Sequence, residues 1–143
     1  MEAFALSNKK LLNCLKKRDL LNSDKAGKFE LITYGERFLC EGGVPDAIDF
    51  FERAEYAEGL VELKDHCISE GDYFLFSRLV RILGGSPSAD EWMRLGDNAL
   101  ALSKLLFARS AYKKAESPEK VAQVESLIQR QRTENAGDQD LLH

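Results

Sequence analysis

The stretch that decides the fold is EWMRLGDNALALSKLLFARSAYKKA, at residues 91–115. Its apolar residues recur every three or four positions, which is the spacing of one face of an amphipathic helix. Two clusters that combine large apolar and small residues stand out within it, one near each end. They are Trp92, Leu95 and Gly96 at the first end, and Ala108, Tyr112 and Ala115 at the second.

The spacing between these residues occurs twice in the chain. In both places a glycine, a small residue, an aromatic residue and another small residue are separated by intervals of twelve, four and three. The two series are Gly35, Ala47, Phe51 and Ala54, and Gly96, Ala108, Tyr112 and Ala115. The match predicts a repeating unit of two helices, in which the small residues allow the helices to approach closely.

A weaker copy of the same pattern lies between the two clear ones, from Leu60 to Leu83. Its turn residue Gly71 follows Gly42 of the first copy by 29 residues and precedes Ser103 of the last by 32. The unit therefore has a length of thirty-odd residues, which is typical of stacked helical repeats.

The repeat resembles the tetratricopeptide repeat, whose signature is W-x2-L-G-x2-Y followed by A-x3-F. Residues 92–96, WMRLG, match the first half, and Ala108-x3-Tyr112 and Ala47-x3-Phe51 match the second. The resemblance covers residues 28–118. There are three departures: Ala99 stands where the family prefers Tyr, residues 32–34 of the first copy lack the Trp, and the middle copy has Phe76 in place of the small residue. The alternatives are another type of α-solenoid for the middle copy, or an irregular helical bundle.

The resemblance implies an all-α fold, a right-handed α-solenoid of about three helix pairs with capping helices at both ends. We expect a basic N-terminal helix in residues 1–27, the repeats in 28–118, a C-terminal capping helix in 119–132 and a flexible tail in 133–143. The eight helices predicted from apolar spacing and from glycine and proline breaks cover about 3–21, 28–42, 45–57, 60–70, 72–83, 88–103, 105–116 and 118–132.

The N-terminal helix has an unusual charge. Residues 1–28 contain seven basic and three acidic residues, a balance of +4, so the rest of a chain of net charge −4 has −8. Three interpretations remain open: a cap with a solvated basic face, a helix on an anionic membrane surface, or a helix that binds an acidic groove of its own or of a second copy. The last would make the protein a homo-oligomer through this helix.

The first helix of each repeat would line the inner face of such a solenoid, so we place the candidate site there. One equivalent position is acidic in all three copies, as Glu36, Asp65 and Asp97, and another is apolar in all three, as Ile32, Val61 and Met93. The predicted partner-binding groove contains Ile32, Glu36, Glu58, Val61, Asp65, Asp90, Met93, Arg94 and Asp97.

An acidic row beside an aliphatic row predicts binding of a basic, amphipathic peptide or helix, because charge steers the encounter and the apolar row holds the ligand. The protein would then be an adaptor, an assembly factor or a chaperone. The competing interpretations are that the acidic residues are solvated helix surface, that the solenoid only associates with itself, or that a cleft between repeats is an enzyme or small-ligand site.

The remaining composition argues against a catalytic site. Neither a phosphate-binding loop nor metal ligands at zinc-like spacing occur, and the neighbours Asp65, His66 and Cys67 point about 100° apart on a helix. We expect no cofactor, no metal and no enzymatic activity. The acidic net charge argues against nucleic acid as a partner. The three scattered cysteines favour a cytoplasmic location, and we expect no secretory signal and no transmembrane segment.

Overall fold

Seven helices form the part of the chain that the computed structural model describes, residues 27–141, and no strand occurs in that range. The predicted all-α class is therefore confirmed. The predicted helix at 3–21 lies outside the described residues. The helices are α1 (Lys28–Cys40), α2 (Val44–Arg53), α3 (Ala57–Glu70), α4 (Tyr73–Leu83), α5 (Ala89–Ala101), α6 (Leu105–Lys114) and α7 (Pro118–Leu141).

Helix starts follow the local sequence signals. The Ser88 hydroxyl accepts a hydrogen bond from the Glu91 N–H at 3.1 Å and caps α5, as the sequence SADE predicts. An Asp72 carboxylate oxygen caps α4 in the same way, since it accepts from the Leu75 N–H at 3.0 Å. Pro118 is the first residue of α7, where the absence of an N–H costs no hydrogen bond.

The turn inside each predicted helix pair has one geometry in all three copies. Gly42, Gly71 and Ser103 have φ angles of 81°, 63° and 61°, in the left-handed region. The N–H of the next residue then bonds to the carbonyl five residues before it, over 2.7, 2.9 and 2.8 Å respectively. This is the Schellman helix end, which satisfies carbonyls that the helix would otherwise leave without donors. The correspondence between these three positions is thus a property of the backbone.

The turn that follows each clear copy is also repeated. Glu55 and Glu116, which are 61 residues apart like Gly35 and Gly96, have φ angles of 54° and 57°. In both turns the N–H of the following residue donates to the carbonyl of the repeat's aromatic residue: Tyr56 to Phe51 at 2.9 Å, and Ser117 to Tyr112 at 3.1 Å. The two copies therefore agree in backbone conformation over the second helix as well as the first turn.

The chain divides after Leu63, within α3, into two compact units. In the first, the described residues 27–63, α1 packs against α2. Rings of Tyr34 and Phe38 stack on Phe50 with centroids 5.9 and 5.3 Å apart. Phe50 is completely buried, so this stack forms the centre of the unit.

In the second unit, residues 64–141, α5 packs against α6, and α6 in turn contacts α4 and α7. One buried cluster joins α5, α6 and α7; its members are Ala99, Ala108, Tyr112, Val124 and Ile128. Trp92 of α5 packs its ring edge to face with Phe76 of α4, at a centroid distance of 4.9 Å. Phe76 therefore replaces the small residue of the repeat pattern because it fills space beside Trp92.

The C-terminal half of α3 and helix α5 run parallel in this unit. Lys64 Nζ lies 3.8 Å from Glu91 Oε2, and further along both helices Asn98 Nδ2 donates to the Ile68 carbonyl at 2.8 Å. A Cβ atom at Gly71 would lie only 2.5 Å from the Ala99 backbone. This close approach explains the departure at residue 99, because a tyrosine there would have to displace the turn.

Helix α7 differs from the prediction in its length. We expected a helix to 132 and a flexible tail from 133, but α7 continues to Leu141, so the predicted helix end was wrong. Residues 133–143 are mostly polar and contain Gly137, which favours a helix end in sequence-based prediction. A helix that is already nucleated adds each further residue at little cost, and an interior glycine costs only about 1 kcal/mol.

Candidate functional site

The predicted groove residues lie on three helices, and within each helix their spacing places them on one face. Ile32 and Glu36 are on α1; Glu58, Val61 and Asp65 are on α3; Asp90, Met93, Arg94 and Asp97 are on α5. The structure thus groups them helix by helix as the sequence predicts. The C-terminal half of α3 and helix α5 meet in a parallel contact within one compact unit.

The three acidic positions share the same exposure, whereas the three apolar positions do not. Glu36, Asp65 and Asp97 are all exposed. The apolar positions differ, since Ile32 and Met93 are half-buried whereas Val61 is 43% exposed. The carboxylates are accordingly accessible to a ligand, and the apolar side chains contribute partly to the core and partly to the surface.

Helix α5 offers the best-defined part of this surface. The side of α5 that faces the core is buried through Trp92, Leu95, Gly96 and Ala99, so the helix is held firmly in place. The opposite, solvent-facing side of α5, which we call its outer face, has exposed Asp90, Arg94 and Asp97 around the half-buried Met93. A helix fixed by its core presents such side chains in a defined arrangement, which lowers the entropy that a ligand must overcome.

A hydrogen bond connects this outer face to the core. The Tyr112 ring lies against Gly96, so closely that a Cβ atom there would be 2.6 Å from Cε1. The ring's hydroxyl extends past the glycine and donates to Asp97 Oδ1 at 2.6 Å. Asp97 is therefore oriented by Tyr112 while it remains exposed. Burial, followed by the hydrogen bond and the negative charge of Asp97, raises the pKa of the Tyr112 hydroxyl well above its usual range.

The first repeat contains the same close contact without the hydroxyl. A Cβ atom at Gly35 would lie 2.5 Å from Cε1 of Phe51. Phe51 also reaches the next helix, because a Cβ atom at Gly59 would be 3.1 Å from its Cδ2. The ring thus fills the space between its own helix pair and the helix that follows, as the repeat spacing suggests. Since phenylalanine cannot donate a hydrogen bond, Glu36 lacks the anchor that Asp97 has.

Residue spacing did not predict the Tyr112–Asp97 hydrogen bond. The available signal was the sixteen-residue interval from Gly96 to Tyr112, which places the ring on the glycine, together with an acid immediately after that glycine. Residue spacing predicts that the Tyr112 ring lies on Gly96, but it does not predict the position of the Tyr112 hydroxyl relative to a carboxylate oxygen of Asp97.

The neighbours Asp65, His66 and Cys67 do not converge. Cys67 is buried, whereas Asp65 and His66 are exposed. Burial, and then the negative charges of Asp72 and Glu70, raise the pKa of the Cys67 thiol to about 12. A thiol in this environment stays protonated and is a poor nucleophile at neutral pH. Within residues 27–141, no three His, Cys, Asp or Glu side chains are arranged to hold a metal ion.

Comparison with protein-family models, curated proteins and solved structures finds no match for this chain. Across residues 27–141, none of the helices combines the length and the apolar character needed to cross a membrane.

Proposed function

We propose that this chain is a tetratricopeptide-like repeat module that binds a basic, amphipathic peptide or helix along the exposed faces of its first helices, which would line the concave side of the array. The observation that carries the proposal is the surface of α5. Exposed Asp90 and Asp97 lie on the same face as the half-buried Met93, on a helix whose opposite side is buried. Carboxylates beside a flexible thioether suit a ligand with cationic and aliphatic side chains.

Repeated local geometry supports the solenoid part of the proposal. The three turns at Gly42, Gly71 and Ser103 have the same helix end, and α3 and α5 run parallel where they meet. Helices that recur with the same turn and the same direction stack readily into an array. In this arrangement α7, which covers α6 through Val124 and Ile128, would be the C-terminal cap.

The biological role that fits this surface is that of an adaptor, an assembly factor or a chaperone. Binding would involve no covalent step, and its rate would depend on ionic strength because charge steers the approach. A cytoplasmic location agrees with the described cysteines, Cys40 and Cys67, which are free thiols.

The test uses a fluorescein-labelled amphipathic peptide of leucines and lysines, with anisotropy as the measurement. The variant Asp90→Asn/Asp97→Asn removes two charges, and the amide oxygen of the new Asn can still accept the Tyr112 hydrogen bond, which a lysine at 97 could not. Two exposed ion pairs of about 0.2–1 kcal/mol each predict a loss of about two- to thirty-fold in affinity.

The matched control is Glu116→Gln/Glu134→Gln, which changes the net charge equally at exposed positions outside α5. We expect it to bind within about twofold of the wild type, because distant charges are largely screened at physiological ionic strength. Equal losses in the two double variants would show that only net charge matters, and the assignment of the site to α5 would be rejected.

A further inference from the structure

A groove lies between α6 and α7, on a surface that the proposed function does not use. It has a volume of about 530 Å³, and its apolar lining consists of Leu105, Leu106, Phe107 and Ile128. Leu106 is 57% exposed, and Leu102, which follows the end of α5, is 52% exposed. Exposed apolar side chains that form a contiguous patch are typical of interaction surfaces.

A second depression extends this surface along the same two helices. It has a volume of about 660 Å³ and shares Ile128 and Arg132 with the first, while Arg109 is added from α6. We call the combined surface the α6–α7 groove; it is defined by Lys104, Leu105, Leu106, Arg109, Ile128 and Arg132.

Packing within the second unit does not require Leu106 to be apolar. The residues that α6 buries are Ala108, Ala111 and Tyr112. Leu106 precedes Ala108 by two positions, about 200° around the helix, so it points away from that buried face. An aliphatic residue at this place has no structural role that a polar helix former could not perform.

The charges around the groove are mostly positive. Lys104, Arg109 and Arg132 line it, and Glu125 is the one acidic side chain among the lining residues. The surrounding sequence has the same bias, since residues 102–132 contain seven basic and three acidic residues, whereas residues 29–101 contain six basic and fifteen acidic. The groove therefore has the opposite sign to the α5 surface and calls for a different ligand.

We propose that the α6–α7 groove binds an acidic amphipathic segment of a partner protein. Its aliphatic side chains would contact Leu106 and Ile128, and its carboxylates would pair with Arg109 and Arg132. Arginine is well suited to this role because its planar guanidinium binds a carboxylate through two parallel hydrogen bonds. The apolar contacts would supply affinity and the charges would select the partner. The proposal is independent of binding at α5, because the two surfaces differ in both residues and charge.

The experiment measures the anisotropy of a labelled sixteen-residue peptide, with leucines at intervals of three and four and glutamates between them, on addition of the full chain. Arg132→Glu and Leu106→Gln should each weaken binding by about tenfold. Arg130→Glu is the matched control, since it makes the same charge change on the same helix at an exposed residue outside the groove lining, and it should stay within about twofold. Circular dichroism establishes that each variant is folded.

Four results would overturn the proposal. Equal losses for Arg132→Glu and Arg130→Glu would mean attraction by net charge alone. Equal binding of a scrambled peptide of the same composition would remove the requirement for an amphipathic ligand. Binding of a single-stranded oligonucleotide that depends on Arg132 but not on Leu106, with displacement of the peptide, would indicate a nucleic-acid surface. Sedimentation showing self-association that Leu106→Gln abolishes would assign the groove to a second copy of this chain.

Discussion

The sharpest test of the repeat architecture is the substitution Gly96→Ala. A methyl group at this position would have its carbon 2.6 Å from Cε1 and 2.7 Å from Cδ1 of Tyr112. Carbon atoms in good contact are about 3.5–4.0 Å apart, so the ring or the helix must move by about 1 Å. Tyr112 is completely buried and its hydroxyl is bonded to Asp97, which leaves the ring little freedom to turn aside.

The expected loss of stability combines three terms. Overpacking of this size costs about 1–3 kcal/mol. Alanine is favoured over glycine in a helix interior by about 1 kcal/mol, which opposes that cost. A strained or broken Tyr112–Asp97 hydrogen bond adds about 1 kcal/mol to the loss. The net destabilisation of Gly96→Ala should therefore be about 2 kcal/mol.

Urea denaturation followed by circular dichroism measures this quantity. With a slope of about 2 kcal/mol/M, a loss of 2 kcal/mol lowers the midpoint by about 1 M. Gly137→Ala is the matched control, because Gly137 lies exposed within α7 and a Cβ atom there would have no neighbour within 4 Å. That variant gains helix propensity without a clash, so its midpoint should stay the same or rise.

A double-mutant cycle then identifies the clash itself. In a Tyr112→Leu background, which lacks the ring, Gly96→Ala should cost about 1–2 kcal/mol less than in the wild type. The reasoning is refuted if Gly96→Ala raises the midpoint as Gly137→Ala does, or if its cost is equal in the two backgrounds.

The packing of Gly71, the hydroxyl of Tyr112 and the burial of Cys67 can each be tested with a substitution. In urea denaturation, Gly71→Ala should lower the free energy of unfolding by at least about 2 kcal/mol more than Gly42→Ala does. Both positions have a positive φ, but only at Gly71 would a Cβ atom meet the α5 backbone, at 2.5 Å. Equal losses would contradict the packing of this turn on α5. The pKa of Tyr112 is raised above that of an unfolded tyrosine, which is near 10, so the stabilising contribution of its hydroxyl is complete below pH 10 and is lost as the pH rises further. The variant Tyr112→Phe should therefore be less stable than the wild type at pH 7, yet lose less stability between pH 10 and 12. Parallel profiles of unfolding free energy against pH would argue against this role of the hydroxyl. In single-cysteine variants at pH 8, Cys67, with its pKa of about 12, should react with a disulfide reagent at least about a hundredfold more slowly than exposed Cys40; similar rates would show that Cys67 is accessible.

Much of the local structure could be read from residue spacing. The twelve, four and three intervals locate Gly35 against Phe51 and Gly96 against Tyr112, because a glycine permits an approach that any side chain would block. The Gly71 correspondence also identifies the turn inside the middle helix pair, where the backbone needs a positive φ. These features are predictable since each depends on one residue type whose size or conformational freedom is special.

The candidate site was predictable in part. The helical period places Asp90, Met93 and Asp97 on one face of α5, and the acidic positions are exposed as expected. Spacing could not distinguish Met93, which is half-buried, from Val61, which is 43% exposed, because their exposure depends on which neighbouring helix covers them. The α6–α7 groove was not predicted for the same reason: Leu106 looks like any other apolar helix residue until the buried face of α6 is known.

The sequence alone determined the helical class, the repeated turn and the pairing of each glycine with its aromatic ring, since these follow from backbone conformation and from the size of single residues. Tertiary structure alone decided the rest. The hydrogen bond from Tyr112 to Asp97 depends on a distance of 2.6 Å between atoms fifteen residues apart. Residue 99 is small because it lies against the turn at Gly71, and residue 76 is large because it packs on Trp92. Local propensity cannot specify such partners, because side-chain contacts across a core are set by the mutual position of whole helices.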